Sequence, residues 1–316
     1  MIHDVLVIGG SYAGLAAALQ LGRARRDVLV LDAGERRNRF ASHAHGFLGQ
    51  DGVPPGEIAA RGRADVARYP TVALRDARAL SVRAEPDGTF VVATEGDTHR
   101  AHRLVLATGV VDTLPAVPGL TDLWGDSAFV CPYCHGYELD EGHLGVLASG
   151  PLSLHQAVLV AEWAGADGVT YFTNGAHDPD DAELAELAAR NVRVEPRLVR
   201  HVGGASPRVV VTLDGGAEVT VAGLFLAPIS RPSELALALG CDLTETPFGA
   251  VVAADPMTRE TSVPGVFACG DAANPMAAIA LAVADGVRAG AGVHRSLVMG
   301  PAARPRAARS AVSGAR

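Results

Sequence analysis

Short apolar runs bounded by glycine-rich turns recur along the chain. The first, Val5-Leu6-Val7-Ile8, is continuous rather than alternating, which predicts a strand covered on both faces. Gly9-Gly10-Ser11-Tyr12-Ala13-Gly14 follows as a turn, and Leu15-Ala16-Ala17-Ala18-Leu19 then predicts a helix. A second apolar strand, Val28-Leu29-Val30-Leu31, ends at Asp32, eighteen residues past Gly14. Leu104-Val105-Leu106-Ala107-Thr108-Gly109 predicts another buried strand and a glycine turn, followed by the Pro-rich linker Leu114-Pro115-Ala116-Val117-Pro118-Gly119. Further on, Leu144 to Ala148 reads as a strand, Ser149-Gly150-Pro151-Leu152-Ser153 as a turn, Leu154 to Trp163 as a helix and Val169 to Thr173 as the next strand. Near the end, Thr261 to Cys269 contains a short strand running into Gly270-Asp271. Asn274 and Pro275 suit the N-cap and first position of a last helix, with Met276, Ile279, Val283 and Val287 at helical spacing.

Strand, glycine turn, helix and a second strand ending in an acid form a βαβ dinucleotide fingerprint. The turn brings backbone N–H groups to a pyrophosphate at a helix N-terminus, and the acid meets a ribose hydroxyl. One position departs from the pattern: the middle glycine is Ser11, whose side chain stands where phosphates approach. A single degenerate fingerprint is also compatible with mere close packing of strand on helix.

With 316 residues the chain is about twice a typical domain, and 48% hydrophobic against 20% charged residues supplies a sizeable core. All 27 basic residues are Arg, which excludes a lysine Schiff base, a P-loop lysine and any lysine nucleophile. A net charge of −8 argues against nucleic acid or an anionic membrane as partner, and 5% aromatics leave little for base stacking. No apolar run reaches the ~18 residues of a membrane span. The start resembles a signal peptide in hydropathy but lacks a basic leader and carries Asp4, so a cytoplasmic protein is expected. The last sixteen residues hold four Arg and no acid, the composition of a mobile tail.

Four cysteines, two of them in Cys131-Pro132-Tyr133-Cys134-His135, point to redox or metal chemistry rather than a structural disulfide framework. The letters match a haem c attachment site, but that chemistry normally needs export. A zinc half-site would need a second cysteine pair, and Cys241 and Cys269 stand alone, so no metal is expected. A glutaredoxin-type site fits the letters but not the long spacing to Thr261-Ser262-Val263-Pro264. A redox dithiol just after the Pro118 linker is a further reading that the letters leave open. Cys241 and Cys269 read as small core hydrophobes.

Taken together, the segments near residues 9–14, 107–109 and 270–271 resemble the FAD-binding signature of the two-domain pyridine-nucleotide disulfide oxidoreductases. Over about residues 1–298 the order of elements is similar to the low-molecular-weight thioredoxin reductases. The resemblance implies an α/β fold of two Rossmann-like three-layer domains. An FAD domain, 1–113 and 246–300, would be split by an inserted, degenerate nucleotide-binding-type domain, 114–245, that carries the CxxC, with 301–316 as a tail. It also implies a homodimer. FAD would lie against Gly9, Ser11, Tyr12, Ala13, Gly14, Asp32, Ala33, Arg37, His45, Ala107, Thr108, Gly109, Gly270, Asp271 and Ala278. By the same resemblance Cys134 is the flavin-proximal thiol and Cys131 exchanges with substrate sulfur.

The family commonly places Asp after the second cysteine, whereas this chain has His135, an imidazole that titrates near ~6.5 when unperturbed and is suited to moving a thiol proton. CPYCHGYE (131–138) together with Ser42-His43-Ala44-His45-Gly46 resembles the gliotoxin- and holomycin-type dithiol oxidases, which close disulfides in small metabolites and pass electrons to oxygen. That likeness implies His43 and His45 as active-site lining. It also implies a small-molecule dithiol and O2 as partners, more than a thioredoxin-like protein.

An NADPH-dependent reductase needs a second phosphate-binding turn and arginines beyond the following strand. Here the turn begins at Ala148 in place of glycine, and segment 173–183 holds four acids (Asp178, Asp180, Asp181, Glu183), with no Arg from residue 173 until Arg190. The expectation is therefore an FAD-dependent dithiol oxidase. A nucleotide- or ferredoxin-dependent thioredoxin-disulfide reductase is the first alternative, and a non-enzymatic flavin redox sensor is the second.

Overall fold

The computed structural model describes residues 1–150 and 152–299, so Pro151 and the Arg-rich segment 301–316 lie outside the described residues. The chain opens with β1 (Ile2–Ile8), α1 (Tyr12–Arg23), β2 (Val28–Asp32), α2 (Pro55–Ala67) and β3 (Val72–Asp76). Three further strands follow, β4 (Ser81–Ala84), β5 (Phe90–Ala93) and β6 (Thr98–Leu106). They form one sheet in the order β3-β2-β1-β6-β5-β4, and the late strand Val266–Ala268 also pairs with β6. The pairs β1–β2, β1–β6, β2–β3 and Val266–Ala268 with β6 are parallel, whereas β4–β5 and β5–β6 are antiparallel. The antiparallel partner explains why β6 begins at Thr98, before the apolar run that predicted it.

Strand periodicity splits β1 between two cores. Val5 and Val7 pack with α1 and the last helix, Ile279–Met299, while Leu6 and Ile8 pack with Phe90, Val92 and Val252 on the other face. Both faces are dry, which is why the run is continuously apolar. Leu235, Ala236 and Cys241 belong to the second of these cores, so the chain returns to it earlier than residue 246. Ser233 caps the short helix Glu234–Ala238 that makes the return.

A second, all-parallel sheet has the spatial order Val192–Glu195, Val169–Phe172, Leu144–Leu147, Gly223–Phe225, Ala128–Phe129. Helix Leu152–Val160 packs on one face through Ala157 and Val160. A three-stranded antiparallel sheet, Val199–Ala205, Arg208–Leu213 and Glu218–Val221, covers the other through Val202, Val209 and Val211. The result is the expected α/β architecture of two Rossmann-like layered units. A two-stranded ribbon joins them, Val110–Thr113 antiparallel to Ile229–Pro232, with Asp112 opposite Ser230. Among the described residues no helix is long and apolar enough to cross a membrane.

The last helix begins at Ile279, later than the Asn274-Pro275 pair predicts. Asn274 Oδ1 accepts the Met276 N–H at 3.0 Å, so its side chain closes a local turn instead of capping a helix. The helix then lies directly on α1: a Cβ on Gly286 would stand 2.1 Å from Ala13 O. Beside that seam Asp285 and Arg259, both buried, pair at 3.3 Å. Arg259 also donates to Ala268 O and Ala273 O, the two carbonyls that bracket the Gly270-Asp271 turn.

Candidate active site

The glycines of the first turn are required by contact. Gly9 has φ +105°, and a Cβ there would lie 2.1 Å from Ala107 O; one on Gly14 would lie 1.8 Å from Gly9 O. The first turn and the Ala107-Thr108-Gly109 turn are therefore pressed together at the C-terminal ends of β1 and β6, where ligands of open α/β sheets bind. Ser11 is the N-cap of α1 but makes no side-chain cap, and the first turn of α1 holds no acid. Its opening N–H groups thus lack side-chain acceptors, the condition in which a helix N-terminus takes a phosphate. The cradle fits the pyrophosphate of FAD.

Around it the expected residues divide. Asp32 accepts the Gly34 N–H at 3.0 Å and an Arg63 N–H at 3.2 Å, and lies over Gly10. Tyr12 turns away: its hydroxyl donates to Pro55 O at 3.0 Å, and burial pushes its pKa up. Ala33 and Ala278 are exposed at the strand end and before the last helix, and Gly270 packs against Ala13. Arg37 and Asp271 meet each other, with Arg37 Nη1 donating to Asp271 Oδ2 at 3.0 Å. Arg37 also forks onto Asp112 through Nε at 2.8 Å and Nη2 at 2.6 Å. Desolvation works against the charged guanidinium, but the carboxylates of Asp112 and Asp271 outweigh it and hold its pKa above the ordinary value. Asp112 and Ser230 escape sequence inspection because they sit in short ribbon strands with no motif around them.

Cys131 and Cys134 form a disulfide with their Cα atoms 5.3 Å apart. The short helix Pro132–His135, with Cys131 as N-cap and Pro132 at its first position, sets that spacing. Cys241 and Cys269 are free thiols, both buried. Desolvation raises both pKa values, that of Cys269 to about 12, which keeps these thiols protonated and unreactive.

His135 stacks on the Phe129 ring, centroids 4.3 Å apart. Desolvation, and then the neighbouring His45, pull its pKa down to about 4. The expectation of an imidazole titrating near neutrality is thereby corrected: burial against an aromatic face disfavours the cation. His43, His45 and His135 line one open cleft of about 140 Å³, together with Phe129 and Glu138. His45 stands between two carboxylates, Nε2 3.4 Å from Glu138 and Nδ1 3.6 Å from Asp51. The 43–45 loop, remote in sequence from the dithiol, is thus brought to the residue that follows Cys134.

At the corresponding place in the second sheet the described serines are already engaged. Ser149 N–H donates to Ser153 Oγ at 2.9 Å, and Ser149 Oγ donates to Ala227 O at 2.5 Å. Beyond the next strand, Asp180 caps helix Asp181–Ala189 in a full capping box with Glu183. Arg190 is paired with Glu162 and Glu186, and Arg231 with Glu234.

Comparison with known proteins agrees with this geometry. The family model for pyridine nucleotide-disulphide oxidoreductases matches residues 3–286. The protein named thioredoxin reductase tcpT of Claviceps purpurea (strain 20.1) is 35% identical over 281 residues, 85% of this chain and 86% of that one. The crystal structure of an oxidoreductase from Agrobacterium tumefaciens superposes with a TM-score of 0.88 at 49% identity, covering 94% of this chain and 99% of its own. That of HlmI superposes with a TM-score of 0.87 at 34% identity, covering 96% and 94%. The chain belongs to the pyridine nucleotide-disulphide oxidoreductase family and is a FAD-dependent, thioredoxin-reductase-like oxidoreductase.

Proposed function

We propose that this protein is a dithiol oxidase that closes a disulfide in a small-molecule dithiol and passes the electrons through FAD to oxygen. The observation that carries the reading is the second nucleotide turn. The Ser149 amide and hydroxyl there are already engaged by Ser153 and Ala227, and past the next strand, where a 2′-phosphate needs arginines, the chain offers acids, with Asp180 fixed as a helix cap. A nucleotide 2′-phosphate of about −1.5 to −2 charges would meet like charge in that place. The name of the Claviceps relative favours the other reading, a thioredoxin-disulfide reductase. In its nucleotide-dependent form that reading requires a reductant bound where this chain presents acids.

In the proposed reaction a substrate thiolate attacks the Cys131 sulfur, forming a mixed disulfide and releasing Cys134 as thiolate. The second substrate thiol loses its proton and attacks the first substrate sulfur, which frees Cys131 and leaves the product disulfide. FAD, when bound, would supply the two-electron acceptor for the reduced cysteine pair with oxygen as the final acceptor, so that dithiol and O2 would yield disulfide and H2O2. Gly9, Gly14, Asp32 and Asp271 would hold the cofactor. His135, neutral at pH 7, can accept a thiol proton but not retain it, and Phe129 keeps water from its face.

We further propose a cytoplasmic homodimer with FAD and dithiol on separate units, divided at the ribbon. The test of function is anaerobic: a small dithiol such as dithiothreitol should bleach the flavin rapidly, while NADPH at equal concentration should do so only slowly. Fast bleaching by NADPH, with thioredoxin disulfide as acceptor, would establish the reductase instead.

A further inference from the structure

Arg37 touches three parts of the chain that sequence separates widely. It comes from the loop after β2, forks onto Asp112 in one ribbon strand, lies 3.4 Å from Ser230 in the other, and reaches Asp271 in the Gly-Asp turn. Ser230 Oγ donates to Asp112 Oδ1 at 2.8 Å, so the carboxylate is held from both strands. Asp112 is nearly covered, with 9% of its side chain exposed, whereas Asp271 keeps 20%. The fork uses Nε and Nη2, which leaves Nη1 as the group that holds Asp271. A planar guanidinium can serve both carboxylates at once in this fixed geometry, which a lysine ammonium cannot do.

The ribbon is also where the chain passes between the two sheets, outward after β6 and back before helix Glu234–Ala238. We propose that Asp112 is a positioning residue that couples FAD binding to the ribbon: it fixes Arg37, and Arg37 in turn fixes the Asp271 carboxylate for the cofactor. The proposal rests on Asp271 being a cofactor contact. Coupling of this kind is reciprocal: whatever factor the Asp112–Arg37 contact contributes to FAD affinity, bound FAD returns as stabilisation of the ribbon. Bound FAD then steadies the placement of the dithiol-bearing sheet further, which suits an enzyme whose cysteines need their electron acceptor.

The test uses FAD retention and backbone hydrogen exchange, neither of which depends on turnover. In Asp112→Asn the neutral amide turns N–H groups toward the guanidinium, and the FAD dissociation constant should rise about tenfold. Amides of 110–113 and 229–231 should exchange faster in FAD-depleted than in FAD-saturated wild type, and fast in both states of Asp112→Asn. Ser230→Ala, which leaves the ion pair in place, should move both readouts in the same direction by a smaller factor and serves if Asp112→Asn does not fold. Wild-type affinity within twofold in Asp112→Asn, or ribbon exchange indifferent to FAD in the wild type, would overturn the coupling. Unchanged FAD affinity in Asp271→Asn would instead show that the flavin-site assignment is at fault.

Discussion

His135 offers a prediction whose size follows from its surroundings. Its folded pKa is held down to about 4 by burial and by the neighbouring His45, against ~6.5 in an unfolded chain. Between those values the unfolded chain binds a proton that the folded protein refuses, so folding stability rises with pH across the window. The contribution is fully present above ~6.5 and is lost progressively as pH falls toward 4. Integrating a shift of that size gives a loss of about 2 kcal/mol between pH 7 and pH 5. The His135→Gln variant cannot take that proton. It loses the Phe129 stack at both pH values alike, so the constant offset cancels. Urea unfolding of both proteins at pH 7 and pH 5 gives the difference directly, because every other titrating group is common to the two. Wild type should lose about 2 kcal/mol more than His135→Gln on acidification. Equal losses in the two proteins would refute the account of a desolvated, neutral imidazole.

Three further outcomes are expected. Cys131→Ser and Cys134→Ser should each abolish dithiol turnover, with only Cys131→Ser keeping thiolate–flavin charge-transfer absorbance, while Cys241→Ala and Cys269→Ala remain active; inactivity of well-folded Cys269→Ala would show a third redox thiol. Asp285→Ala leaves the Arg259 guanidinium buried without its carboxylate and should cost about 3–5 kcal/mol in unfolding experiments, most of it recovered in the Arg259→Met/Asp285→Leu double variant. Sedimentation should report about twice the chain mass of 32.5 kDa, and a monomer across micromolar concentrations would contradict the dimer.

Legibility from sequence followed the range of the forces involved. The first strand, turn and helix were readable because local sterics demand the residues there: Gly9 and Gly14 stand where any side chain would strike backbone. Continuous apolar runs gave the central strands of both sheets, since burial on both faces leaves no room for polar residues. The start of the last helix was misplaced because Asn274 bonds within its own turn, an alternative that cap statistics do not separate. The protonation of His135 was misjudged for a different reason. Its intrinsic chemistry is visible in the sequence, but the Phe129 ring that covers it is brought there by the fold. The Arg37–Asp112–Asp271 cluster was the least accessible, because its partners are 75 and 234 residues from Arg37.

The central claim, that electrons enter from a small dithiol and leave to oxygen, is tested most directly by stopped-flow reduction of the oxidised holoenzyme under nitrogen. Dithiothreitol should bleach the flavin rapidly and saturably, NADPH should do so only slowly, and admission of air should restore the flavin with one H2O2 per dithiol consumed. Rapid bleaching by micromolar NADPH, with the electrons then recovered in thioredoxin and no H2O2 formed, would contradict the claim.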